Sequence, residues 1–190
     1  MLFNSLTFIL FHAVLVALYW ACPSQRVRQV ILFAGSTVFY GWYYWPALIL
    51  LGISMAINYG FSRWIDLSSR SSQVLKLAII VNLASLAWFK YSTFVAENFA
   101  AVIKALGFSI EVPAMSSWLP LGISFYTFQV IAYLVDLSRG KVALEKNFLV
   151  FGVFKSFYGQ LVAGPIVRAS ELIPQIQTKR NFSSADFLLG

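Results

Sequence analysis

The stretch Leu119 to Gly140, LPLGISFYTFQVIAYLVDLSRG, carries Ser124, Tyr126, Thr127, Gln129 and Asp136 inside an otherwise apolar run. Hydroxyls and amides placed at hydrocarbon depth need partners, so they turn toward other helices or toward a cavity. At 3.6 residues per turn, Ser124, Thr127 and Ile131 share one face, and Tyr126, Gln129 and Tyr133 line an adjoining one. Two readings stay open for this surface: helix-to-helix hydrogen bonding, and a channel lined by Tyr126 and Gln129. Asp136, beside Arg139 at the end of the run, reads as an interfacial charge.

A second concentration of unusual residues is QLVAGPIVR, from Gln160 to Arg168. Gly164-Pro165 breaks any helix there, and backbone freed at membrane depth either lines a cavity or is buried in protein. Arg168, just past the break, joins Ser124, Tyr126 and Gln129 as a candidate lining residue. Lys155 reads either as a charge that attracts anions or as a side chain snorkelling to an interface.

Other chemistry is thinly represented. His12 is the only histidine and has no Cys or His neighbour at metal-ligand spacing, so no zinc site is expected. With no carboxylate or nucleophile near it in sequence, it reads as an interfacial polar residue and not as a catalytic base. Cys22 is the only cysteine, an ordinary membrane cysteine or a palmitoylation site. Gly35, Gly41, Gly52 and Gly60 show no phosphate-loop or dinucleotide spacing and read as points of close helix approach.

The elements that must hold these residues follow from composition. Hydrophobic residues make up 59% of the 190 and charged residues 11%, with a mean hydropathy of +0.76. That is more apolar surface than one soluble core of this length hides, so lipid is the expected solvent. The expected fold is all-α, a polytopic transmembrane helical bundle with about five or six spans of roughly 20 residues each. The net charge of +7 is scattered between apolar runs in no stripe or block, which argues against nucleic acid and for basic cytoplasmic loops.

Along the chain, the apolar runs are Phe3 to Cys22, Val30 to Tyr44, Ala47 to Phe61, Leu77 to Phe89, Leu119 to Leu137 and Phe148 to Ala163. The first reads as a retained helix, because bulky Tyr19 and Trp20 stand where a cleavable signal has small residues. Arg26 and Arg28 follow it with cytoplasmic character, placing the N-terminus outside. The aromatics Trp42 to Trp45 before Pro46 mark the outer interface. The basic connections Ser62 to Lys76 and Arg139 to Lys146 fall inside, consistent with five alternating crossings. Between them, Phe94 to Phe108 reads as an amphipathic surface helix ended by Gly107 and Pro113. Whether Phe148 to Ala163 spans or re-enters stays open; Gly164-Pro165 ends it before a polar tail containing Arg168, Glu171, Lys179, Arg180 and Asp186.

Five stretches taken in order prompt a recognition: MLFNSLTFILF, FYGWYYWPALILLGISMAINY, WFKYSTF, LPLGISFYTFQVIAYLVDLSRG and QLVAGPIVRASELIPQI. Through them the chain resembles the N-terminal half of the membrane-bound O-acyltransferase family, most of all its alginate O-acetylating branch. The resemblance implies that residues 1–190 form the N-terminal part of such a domain in a bacterial cytoplasmic (inner) membrane. It implies acyl transfer, from acetyl-CoA or another acyl donor as substrate, to an exopolysaccharide such as alginate or another surface polymer. It further implies no bound cofactor, and a partner acetyltransferase subunit on the extracytoplasmic side. Ser124, Tyr126, Gln129 and Arg168 would then help wall a central tunnel. The family's catalytic histidine lies in its C-terminal half, so no catalytic residue is carried over to these positions. The alternatives are a noncatalytic membrane scaffold fragment and a small transporter, which usually shows repeated halves not found here.

Overall fold

The computed structural model describes residues 5–42, 44–106, 120–161 and 167–180. Among them the regular structure is helical: α1 Leu6–Ala21, α2 Gln25–Gly41, α3 Pro46–Leu67, α4 Ser71–Ala105, α5 Ile123–Ser138, α6 Phe148–Ser156, α7 Tyr158–Leu161 and α8 Ala169–Gln177. Local chemistry sets several boundaries. Ser5 caps α1 by accepting from the Phe8 amide at 3.1 Å, Pro46 occupies the first turn of α3, and the Asn147 side chain caps α6 through the Leu149 amide at 3.0 Å. α5 closes in a Schellman motif: Gly140 takes φ 68°, its amide reaches Leu137 O and the Lys141 amide reaches Asp136 O.

α6 is the inner helix. Every residue from Val150 to Ser156 is buried, as expected of a helix apolar on all sides. It packs against α2, α3, α5 and α8. Phe151, Val153 and Phe154 meet Val130 and Leu134 of α5 and Ile173 of α8 in the larger core cluster. A second cluster joins Tyr40, Leu51, Met55, Leu86, Tyr126 and Leu161, tying α2 to α5 and α7. The opposite faces of α1, α3 and α4 leave Leu10, Val14, Ile49, Ile53, Ile80 and Trp88 exposed. An apolar exterior of this kind needs lipid or protein around it.

By length and composition, α3 and α4 are the two helices among the described residues able to cross a membrane. α1 and α5 have 16 residues each, about 24 Å of helix against a hydrocarbon thickness of about 30 Å. Three expectations change. The fourth apolar run does not stop at Phe89: α4 continues through Lys90 to Ala105 as one helix of 35 residues, because no Gly or Pro interrupts it. Of the residues read as a separate surface helix, Phe94 to Ala105 are its second half, and Gly107, Phe108 and Pro113 lie outside the described residues. The run from Phe148 is divided, α6 ending at Phe157, whose ψ is 114°. The tail after Arg168, read as polar, contains α8, which buries Leu172, Ile173 and Ile176.

Gly122, just before α5, has φ +71°, and a Cβ built there lies 2.4 Å from the carbonyl oxygen of Leu161. A side chain would meet both backbone strain and backbone collision, whereas Gly52 in α3 has nothing within 4 Å of its Cβ position. Gly122→Ala is expected to destabilise by about 2 kcal/mol or more. Gly52→Ala should be neutral or stabilising by up to ~1 kcal/mol. Thermal midpoints of the two variants in detergent check the contrast.

Candidate functional site: a polar centre among apolar helices

Inside this bundle, polar side chains from four helices converge. Ser54 and Asn58 stand one turn apart near the middle of α3, and Asn82 faces them from α4. The two amides pair reciprocally: Asn58 Nδ2 donates to Asn82 Oδ1 at 3.0 Å, and Asn82 Nδ2 donates to Asn58 Oδ1 at 2.7 Å. Each also donates to its own helix, Asn58 to Ser54 O and Asn82 to Ala78 O, both at 2.8 Å. All four amide hydrogens are thereby used, and α3 is clamped to α4.

Lys155 of α6 is fully buried. Its Nζ donates to Ser54 Oγ at 2.6 Å and sits 5.5 Å from the centroid of the Tyr126 ring, within range of a cation–π contact. The aliphatic stem lies in a helix buried on every side from Val150 to Ser156. Snorkelling, one of the two readings of this lysine, is therefore excluded: the amine ends inside the bundle. Between α3, α4 and α5, a cavity of about 50 Å³ is lined by Ser54, Asn58, Asn82, Tyr126 and Thr127, with Leu50 and Val81 on its apolar side. The Tyr126 hydroxyl is buried without a hydrogen-bond partner. Its polar neighbour Tyr40 donates instead to Leu121 O at 2.8 Å.

The four candidate lining residues do not gather at one point. Tyr126 walls the cavity. Gln129 is buried one turn further on and donates to Phe154 O and to Gln160 Oε1, each at 3.2 Å, so it stitches α5 to the junction of α6 and α7. Ser124 is half-buried, and Arg168 is exposed at the start of α8. The Gly164-Pro165 break lies outside the described residues. Ser54, Asn58 and Asn82 were missed in the sequence. Each is an isolated polar residue in a long apolar run, and polar residues in apolar runs are the signal that would have found them.

The remaining polar groups brace one end of the bundle. Glu145 is buried, with Oε1 accepting from the Asn147 amide at 2.7 Å and Oε2 from the Gln177 side chain of α8. Gln25 and Gln29 both donate to Ile176 O. Arg28 donates to Cys22 O and Arg180 O, each at 2.7 Å, and lies beside the rings of Tyr19 and Trp20. His12 shares a 2.9 Å hydrogen bond with the Tyr158 hydroxyl, apart from the cavity. Among the described residues no group of three His, Cys, Asp or Glu is placed to hold a metal ion.

Known proteins match this chain along almost all of it. It is 33% identical over 184 residues to the probable alginate O-acetylase AlgI of Azotobacter vinelandii, which takes in 92% of this chain and 36% of that protein. It is 33% identical over 184 residues to the probable alginate O-acetylase AlgI of Pseudomonas aeruginosa, covering 92% of this chain and 34% of that one. This chain is a homologue of the N-terminal part of these O-acetylases. The peptidoglycan O-acetyltransferase of Helicobacter pylori is 30% identical over 177 residues, 79% of this chain and 33% of its own length. The resemblance to membrane-bound O-acyltransferases carried by the motifs is borne out. The chain spans about a third of the length of the curated relatives it matches, a smaller share than the half expected. No family model and no solved structure matches it. With its apolar helices, the homologue of these O-acetylases is an integral membrane protein.

The reciprocal amide pair gives a testable coupling. Asn58→Leu or Asn82→Leu alone leaves one buried amide without its partner and should destabilise by about 1–3 kcal/mol. The double replacement should cost less than the sum of the two, a coupling of about 1 kcal/mol. A double-mutant cycle of thermal midpoints in detergent measures it.

Proposed function

We propose that residues 1–190 form the N-terminal part of a membrane O-acyltransferase domain that moves an acetyl group from acetyl-CoA, or another acyl donor, to an exopolysaccharide such as alginate or another cell-surface polymer. Likeness over nearly the whole chain to alginate O-acetylases and to a peptidoglycan O-acetyltransferase supports this reading. The polar centre supports it independently. A bundle that needed only to fold would fill that space with apolar side chains at less cost than a buried lysine and an unpartnered tyrosine hydroxyl.

In this reading the chain contributes five or six membrane segments of the bacterial cytoplasmic membrane, with its N-terminus outside. α1, α5 and the α6–α7 pair complete the hydrocarbon crossing with their flanking residues. Tyr126 and Gln129, with Ser124 and Arg168 at the margins, contribute to the wall of the acyl path. A partner subunit on the extracytoplasmic side would receive or present the acetyl group. The basic connections support the orientation, since positive residues are retained inside.

The test is acetyl transfer in liposomes by the protein expressed from its native reading frame, given acetyl-labelled acetyl-CoA and alginate. The expected result is label on the polymer as a base-labile ester. Donor retained by the protein with no labelled polymer would point to the scaffold reading. Passage of solute across the liposome without acyl transfer would point to a transporter.

A further inference from the structure

At the end of the bundle where the α1–α2 connection meets α8, a buried cation is left without a counter-charge. Arg28 is 5% exposed. Its guanidinium spends two of its five N–H groups on the carbonyls of Cys22 and Arg180. Among the described residues no carboxylate reaches it.

Beside this arginine, a cleft of about 250 Å³ opens between α1, α2, α8 and the α6–α7 junction. Its walls are of two kinds. Leu32, Phe157, Leu172 and Ile176 form an apolar side, and Tyr19, Gln175 and Arg180 form a polar one. Arg28 stands behind the polar side and not in the cleft. It meets two of those three residues, the Tyr19 ring 5.1 Å away and the Arg180 carbonyl at 2.7 Å, and so fixes where they stand. The Tyr19 hydroxyl and the Arg180 guanidinium donate to no other described residue.

The surrounding charges decide what complements this wall. Arg26, in the first turn of α2, and Lys179, beside Arg180, are exposed cations. The acids at this end are Glu145, whose oxygens are taken by the Asn147 amide and Gln177, and Glu171, exposed one turn before Gln175. Arg26, Arg28, Lys179 and Arg180 thus outnumber them. Tyr19 and Trp20 close an apolar helix, as aromatics do at headgroup depth, and anionic lipids gather at basic residues beside such helix ends. The cleft is smaller than the roughly 300–1,000 Å³ of a pocket that encloses a whole ligand. Its size suits one end of an amphiphile whose chains stay in the bilayer.

We infer that this cleft seats the headgroup end of an anionic phospholipid, its phosphate against Arg180 and Tyr19, its glycerol and first methylenes against the apolar side. Arg28 adds its charge from behind and holds the polar side in place. A quaternary ammonium headgroup is disfavoured by the same cations. The bound lipid bridges α1 and α8.

The experiment titrates the detergent-purified protein, expressed from its native reading frame, with short-chain phosphatidylglycerol, short-chain phosphatidylcholine or inorganic phosphate at constant ionic strength, and reads the thermal midpoint. Phosphatidylglycerol should raise the midpoint saturably and by more than phosphatidylcholine. Arg180→Gln should raise the half-saturating lipid concentration roughly fivefold. Gln175→Glu, which puts a carboxylate into the polar side, should raise it at least as much. Lys76→Gln removes an equal charge from an exposed position near the start of α4 and should leave it unchanged. Gln175 and Arg180 are both exposed, so either variant carries the test if the other fails to accumulate. Equal protection by the two lipids, or by inorganic phosphate alone, would overturn the inference. So would undiminished affinity in the cleft variants, or a loss in Lys76→Gln equal to theirs, the mark of a diffuse surface potential.

Discussion

Lys155 ends inside an apolar bundle with its nitrogen on Ser54 and over the ring of Tyr126, and much of the surrounding architecture answers to that placement. A buried amine is costly without partners. Ser54 must therefore be held at a fixed height, and Asn58, one turn along the same helix, does this by locking α3 to Asn82 of α4. Tyr126 must present its ring, and the turn at Gly122 sets where α5 begins. Gln129 then fastens α5 to the end of α6 through Phe154 O, on the helix that carries Lys155 itself. The four helices are joined by polar contacts in the region where lipid offers none.

Those contacts matter more in a membrane than they would in water. Lipid tails do not drive apolar helices together, so close packing and interhelical hydrogen bonds decide the arrangement. The end of the bundle holding Glu145, Gln25, Gln29 and Gln177 follows the same rule near the polar boundary, where Gln25 and Gln29 of α2 donate to the Ile176 carbonyl of α8 and Gln177 of α8 donates to Glu145 of the α5–α6 connection. Apolar faces on α1, α3 and α4 are left outward. Two sets of buried polar contacts thus position an otherwise apolar fold.

Much of this was legible in the sequence. Apolar runs located the helices, the aromatic turn before Pro46 separated two of them, and Tyr126 and Gln129 stood out by polarity. The pairing of Asn58 with Asn82 was not legible, because each amide is alone in its run and their meeting depends on how two helices pack. Lys155 misled for a related reason. Whether a lysine snorkels depends on what surrounds its helix, and α6 is enclosed by four others. The extent of α4 was shortened because Lys90 resembled a boundary, although a charge does not end a helix as Gly or Pro does. α8 was hidden by its charged neighbours, while Leu172, Ile173 and Ile176 already traced one helical face.

The most direct measurement replaces Lys155 with Met at the native locus and compares protein level in the membrane with ester-linked acetyl on the cell-surface polymer. Methionine fits the same stem space and removes only the amine. A lysine kept for acyl transfer predicts normal or raised protein level and a loss of acetyl esters of roughly tenfold or more. Unchanged esters at unchanged protein level would contradict the account, since the buried amine would then serve neither the fold nor the reaction.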